Sequence, residues 1–183
     1  RIESIVNSLV VFLKNKWNKT DLQIAVGYDS RVSSPRIADA VCRTLLSLGV
    51  KTYSCGLSST PSMFMSIINF NMDASVEITA SHLPMEMNGL KFFTRDGGLS
   101  GDELKSILAY AENEPCERAE KSGAVTEIDY ISEYAELLRN MIKASNGMRK
   151  VGIDLRKKLL ASVTAAFGGK LEMIICGGAA LNQ

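Results

Sequence analysis

The chain has a single histidine and no Cys-x-x-Cys pair, which excludes a zinc site of ordinary ligand spacing. Charge of either sign is not in excess. Its 21 lysines and arginines against 20 aspartates and glutamates leave a net charge of +1 and no electrostatic motive for binding nucleic acid or an anionic membrane. No apolar run approaches the roughly 20 residues of a membrane-spanning helix. The cysteines Cys42, Cys55, Cys116 and Cys176 are scattered. They read as small buried hydrophobes in a reducing compartment, not as a disulfide framework. What remains is ordinary globular material, 46% hydrophobic and 22% charged over 183 residues, enough for one domain and a further segment.

Strand and helix patterns alternate along the chain. Ile5, Leu9, Phe12 and Leu13 recur at helical spacing within Ile2 to Lys16. Leu22 to Tyr28 is an apolar strand. Ser33, Ser34 and Pro35 then supply an N-cap and an early proline for a helix whose face carries Ile37, Ala38, Val41, Leu45 and Leu48, and Gly49 is its C′ stop. Val50 to Cys55 is a second strand, Gly56 to Pro61 a loop, and Ser62 to Phe70 a short helix. Ala74 to Thr79 and Leu90 to Thr94 are strands, Ser100 to Glu114 a helix with an acidic start, Glu112 to Gly123 a polar linker, and Ile128 to Ala144 a further helix. This order predicts a three-layer α/β/α domain on a mostly parallel mixed sheet. The expected division is 1–124 for the first domain, 125–158 for a linker helix opening a second α/β domain, and 159–183 for a divergent tail.

The most informative stretch is Thr79 to Lys91, Thr-Ala-Ser-His-Leu-Pro-Met-Glu-Met-Asn-Gly-Leu-Lys, where one strand spills into a loop before the next. Pro84 fixes φ and removes a donor, and Asn88-Gly89 is a tight-turn pair, so the backbone is expected to reverse there. Ser81 is thereby presented on a loop held by a rigid sheet, the usual place for function in α/β proteins. Arg31, after the first strand, either reaches a bound anion or pins its loop by bonding to backbone carbonyls, and the second role is favoured. Asp29 reads as a loop-capping residue.

Thr79, Ala80, Ser81, His82, Pro84, Asn88, Gly89 and Lys91 resemble the phosphoserine loop of the α-D-phosphohexomutases, the family of phosphoglucomutase and phosphomannomutase. Gly27-Tyr28-Asp29-Ser30-Arg31-Val32-Ser33 is similar to that family's Gly-x-Asp-x-Arg-x-Ser segment, and the likeness extends over roughly the first 120 residues. Leu83, followed by Asn-Gly-Leu-Lys-Phe-Phe-Thr, resembles a plant-type branch. The resemblance implies that Ser81 carries a phosphate exchanged with hexose phosphates through a hexose bisphosphate. It implies that Lys91 acts on the sugar hydroxyl as acid, base or held charge, and that His82 and Arg31 support the loop. It also implies Mg2+ bound through the phosphate on Ser81. Implied localisation is cytoplasmic, or plastid stroma as the alternative; nucleic acid and membrane are not expected partners.

The family's metal, sugar and distal phosphate loops lie downstream of this region, so the chain alone is expected to be inactive as a mutase. A non-catalytic binding module that keeps the fold, or a chimeric gene product, is the competing expectation. A serine hydrolase is excluded: His82 is adjacent to Ser81 in sequence, and no Gly-x-Ser-x-Gly elbow is present. From about Leu159 the likeness changes. Phe167 to Leu171 and Ile174 to Leu181 resemble a short piece of the AMP-forming acyl-CoA synthetases, with Ala180 where that family has proline.

Overall fold

The structure, a computed structural model, describes residues 1–113, 119 and 122–150. Residues 151–158 of the expected second-domain opening, the expected tail 159–183, Cys116 and Cys176 lie outside the described residues. The chain divides into two compact units, Arg1–Ser132 and Glu133–Gln183.

In the first unit a six-stranded mixed sheet runs in the order β5-β4-β3-β1-β2-β6. Its strands are β1 (Gln23–Tyr28), β2 (Lys51–Leu57), β3 (Ala74–Ile78), β4 (Leu90–Thr94), β5 (Gly97–Gly98) and β6 (Ala124–Glu127). The helices are α1 (Ile2–Trp17), α2 (Ser34–Ser47), α3 (Thr60–Asn69), α4 (Gly101–Asn113) and α5 (Tyr130–Lys150), the last of which continues into the second unit. Strands β3, β1, β2 and β6 run parallel to one another, with β6 at one edge, and β4 and β5 add antiparallel pairs at the other.

The period-two alternation of the strands separates two faces. Ile24, Val26, Ala74, Val76, Ile78 and Phe92 point to the side packed by Val6, Leu9, Val10 and Leu13 of α1, Val41 and Leu45 of α2, and Ile107 of α4. The opposite face meets α3: Ser75 Oγ donates to the carbonyl of Met63 at 2.7 Å, and Phe93 stacks edge-on against Phe64. Helices on both faces make the α/β/α layering expected from the sequence. Central strand β3 is buried at every position, as a strand covered on both faces must be.

Local chemistry sets the helix ends. Gly49 takes φ +76°, and the bonds Gly49 N–H to Leu46 O (3.2 Å) and Val50 N–H to Leu45 O (3.0 Å) form a Schellman stop for α2. Helix α3 begins at Thr60, not at Ser62 as expected. Ser59 and Ser62 form a reciprocal capping box with Pro61 in the first turn, which draws the expected loop residues into the helix. Ser33 occupies the N-cap of α2 but its side chain makes no cap bond; its backbone is already helical at φ −80°. Strand β6 was not anticipated. It lies across residue 124, where the first domain was expected to end, and its pairing with Lys51 to Ser54 puts it in the same sheet.

The chain order places a switch point between β1 and β3. From β1 the chain leaves through α2 to β2 on one side, whereas from β3 it leaves to β4 on the other. The carboxyl ends of these two adjacent strands therefore open a crevice, the usual ligand position in open α/β sheets. Asp29 N–H bonds to Ile78 O at 3.0 Å and ties the two exits together.

Candidate active site

The loop after β3 is shaped by hydrogen bonds running inward from its backbone. Thr79 N–H donates to Gly89 O at 3.0 Å and closes its neck. Within it, Leu83 N–H bonds to Ala80 O (3.1 Å) and Met87 N–H to Pro84 O (3.0 Å). The reversal is thus made by turns centred on Ser81-His82 and Met85-Glu86, and not by Asn88-Gly89 as the dipeptide suggested. Asn88 has a different task. Its side-chain amide donates to Ser33 Oγ (2.9 Å) and Ser34 Oγ (2.8 Å) at the start of α2. This is why Ser33 does not cap its own helix: its hydroxyl receives the loop instead.

Arg31 fills the centre of the loop. Its Nη1 donates to the carbonyls of Pro84 (2.6 Å) and Met87 (3.2 Å), and its Nη2 to those of Ser81 (2.9 Å) and Leu83 (2.8 Å). Its Nε donates to Asp29 Oδ2 at 3.0 Å, and the side chain is only 11% exposed. The planar five-donor fork of arginine suits this arrangement, and a lysine would not reproduce it. Asp29 in turn accepts from Ser34 Oγ at 2.6 Å and from the Arg31 N–H. Burial pushes the Asp29 carboxyl up, but bonds from Ser34, Thr79 and Arg31 outweigh it and hold the group below its usual value. The Thr79 hydroxyl also accepts from Ser81 N–H at 2.9 Å. Asp29, Thr79 and Arg31 therefore brace Ser81 from within while its side chain faces solvent.

Ser81 adopts φ +57°, a left-handed conformation uncommon for a residue with a Cβ. Such a conformation costs roughly 1–2 kcal/mol and persists where surrounding bonds dictate it. Here they do: its N–H is held by Thr79 and its carbonyl by Arg31. His82 is exposed, and its ring makes no hydrogen bond among the described residues.

Lys91 lies on β4 and is half-buried, with Glu77 of β3 as its Cα partner across the antiparallel pair. Sequence reading passed over Glu77 as part of an apolar strand. It is 1% exposed and accepts a hydrogen bond from Ser58 Oγ at 2.7 Å. Burial pushes its carboxyl up to about 7; the nearby charge of Asp29 adds to the rise, and Ser58 and Lys91 oppose it. On β1 its partner is Gly27. A Cβ there would lie 2.1 Å from Ser58 Oγ and 2.5 Å from Met63 Sδ, so glycine is what lets Ser58 reach Glu77. Gly27→Ala is expected to lower stability by about 2 kcal/mol, an overpacking cost, read as a lower urea midpoint.

The two described thiols are not reactive groups. Burial pushes Cys55 up to about 12 and Cys42 up to about 11, which leaves both protonated near neutral pH. Among the described residues no three of His, Cys, Asp and Glu gather to hold a metal ion, and no helix is long and apolar enough to cross a membrane.

This arrangement has known relatives. Residues 1–117 match the model of the phosphoglucomutase/phosphomannomutase alpha/beta/alpha domain I. A phosphoglucomutase of Neisseria meningitidis is 33% identical over 149 residues, covering 81% of this chain and 31% of the relative. A phosphoglucosamine mutase of Lactobacillus helveticus is 34% identical over 150 residues, covering 79% and 33%. The structure of a phosphoglucomutase/phosphomannomutase family protein from Burkholderia thailandensis superposes with a TM-score of 0.62 at 22% identity, covering 74% of this chain and 30% of that one, and so shares the fold. These relatives are bacterial and lend no support to the plant-type branch or to the ligase-like tail. The chain spans about a third of the length of the curated relatives it matches. The match over residues 1–117, on a fold of this kind, establishes that the chain belongs to the phosphoglucomutase/phosphomannomutase family.

Proposed function

We propose that this domain supplies the phosphate-carrying serine of a hexose-phosphate mutase, and that the serine is Ser81. The observation that carries the reading is the bracing of an exposed serine, in a left-handed conformation, over the Arg31 guanidinium at the crevice between β1 and β3. A phosphate on Ser81 would bring roughly −1.5 to −2 charges, and the nearly buried Arg31, its own charge paired with Asp29, supports it by fixing that residue's carbonyl and so the place where the phosphate sits. Phosphoryl transfer depends mostly on positioning and charge compensation, and a pre-shaped loop supplies the first.

The step is an exchange of esters. The Ser81 Oγ–P bond breaks as a bond forms between phosphorus and a sugar hydroxyl oxygen; that hydroxyl loses its proton and Ser81 Oγ gains one. The second half reverses this with the other phosphate of the bound hexose bisphosphate. Lys91 serves the sugar oxygen as acid, base or held charge, and His82 lines the exposed side of the turn. The names of the relatives, phosphoglucomutase and phosphoglucosamine mutase, support a hexose or hexosamine phosphate as substrate.

A magnesium ion on the phosphoserine would need further oxygen ligands. Two carboxylates packed against this framework are committed elsewhere, Asp29 to Arg31, Ser34 and Thr79, and Glu77 to Ser58 in a buried position; the loop's own Glu86 is exposed and does not gather with two further His, Cys, Asp or Glu groups among the described residues. The described residues therefore do not build a magnesium site by themselves. Consistent with this, the chain alone is expected to show negligible conversion of glucose 1-phosphate to glucose 6-phosphate. The test of the proposal is incubation with a hexose 1,6-bisphosphate followed by intact mass measurement. Gain of one phosphate by the wild type and none by Ser81→Ala is the expected result, and no gain by the wild type would refute the proposal.

A further inference from the structure

Glu77 has no part in the bracing of the loop, and its burial calls for a reason. A carboxylate placed out of water is retained at a cost unless it is paired or does something. It accepts one hydrogen bond among the described residues, from Ser58. It lies directly opposite Lys91, and side chains so placed have Cβ atoms about 5 Å apart. The attraction between them acts without a direct ion pair, and Lys91 is half-buried.

We propose that Glu77 is a positioning residue for Lys91: from the neighbouring strand, in register, its carboxylate holds the lysine ammonium at the second position of β4, two residues from Gly89 at the neck of the Ser81 loop. As a role in catalysis this rests on the proposed function of Ser81 and Lys91, and it adds a residue that acts on the lysine and not on substrate. The groups facing Glu77 are few. Lys91 faces it from β4, Asp29 from the end of β1, Cys55 from β2, and the Ser58 hydroxyl from the loop after β2. Helix α3, Thr60–Asn69, contributes no charged residue to this face. Asp29 is held ionised by its own partners and Cys55 is held protonated, so through the neutral range Glu77 is the member of this cluster that changes charge. Its hold on Lys91 is therefore present above about pH 7 and released below it.

The experiment is a pH titration of the Lys91 side-chain methylene resonances by NMR on the whole chain, assigned with Lys91→Arg. In the wild type the Lys91 resonances are expected to shift with an inflection near pH 7. Glu77→Gln should abolish that inflection. Ser58→Ala, which removes the hydroxyl bonded to ionised Glu77, should move it to higher pH, and this variant decides the matter should Glu77→Gln fail to fold. A wild type without the inflection, an inflection that survives in Glu77→Gln, or an unchanged midpoint in Ser58→Ala overturns the proposal. The titration requires no phosphate on Ser81. Failure to phosphorylate would remove the functional reading while leaving the measured coupling of Glu77 to Lys91 in place.

Discussion

Arg31→Ala is expected to lower the stability of the first unit by about 3 kcal/mol and to release the loop from 80 to 87. The guanidinium is nearly buried and donates to four loop carbonyls as well as to Asp29. Charge-assisted bonds of this sort contribute about 1.5–3 kcal/mol each when measured singly, but they share one side chain and do not add. Removal would also leave the Asp29 carboxylate without its counter-charge, and breaking one member of a buried pair costs about 3–5 kcal/mol. The carbonyls lie nearer solvent and water can replace part of what is lost, which sets the expectation at the lower end. Arg31→Lys keeps the charge but cannot fork to both turns, so it should recover less than half of the loss. Urea denaturation measures the stability. Amide hydrogen exchange at Leu83 and Met87, whose N–H groups close the two turns, measures the loop itself. Unchanged exchange at both amides in Arg31→Ala would show that the turns stand without the arginine.

The second large effect is a pH dependence of stability centred on Glu77. Its carboxyl lies at about 7 in the folded chain against 4.5 for the ordinary group. The folded pKa is raised, so between these values the folded state binds more protons than the unfolded one, and stability falls as pH rises. At about 1.36 kcal/mol per pKa unit the contribution is about 3 kcal/mol, complete below about pH 4.5 and lost as pH passes through about 7. Glu77→Gln stays neutral at every pH and lacks this loss. The stability of the variant relative to wild type should therefore rise by about 3 kcal/mol between about pH 4.5 and pH 8. Asp29 does not confuse the comparison: its pKa is lowered, so its stabilising contribution is lost only as pH falls into the acid range. Denaturation curves for both proteins across this window make the check, and a gap that stays constant with pH would contradict the buried, ionising carboxylate. Keeping an ionisable glutamate opposite Lys91 at this loss of stability with rising pH is what a positioning role entails.

The order of strands and helices was legible in the sequence because most elements bury an apolar face, and burial leaves a period. Strand β6 was not legible for the same reason. Its residues Ala124 to Glu127 are all exposed, and it joins the sheet through backbone pairing with β2, which leaves no mark in side-chain pattern. The loop carrying Ser81 was recognisable from residue types alone, as was the tendency of Arg31 to seek carbonyls. The position of its turns was not. Asn88-Gly89 has turn chemistry, but the Asn88 side chain is captured by Ser33 and Ser34, more than fifty residues away in sequence, and the reversal moves to the preceding tetrads. Glu77 was overlooked within Ala-Ser-Val-Glu-Ile, although a charged residue inside a strand buried on both faces is itself a signal. Its partner Ser58 could not be read, because the glycine at position 27 that admits it lies on another strand.

The place where a transferred phosphate lands is the most direct test of Ser81 as its carrier. After incubation with hexose 1,6-bisphosphate, the tryptic peptide from Thr52 to Lys91 can be fragmented to locate it among that segment's serines and threonines. The prediction is a single phosphate on Ser81, absent in Ser81→Ala and reduced in Arg31→Ala. A phosphate on Ser58, Thr79 or any other hydroxyl of the peptide, with Ser81 unmodified, would contradict it.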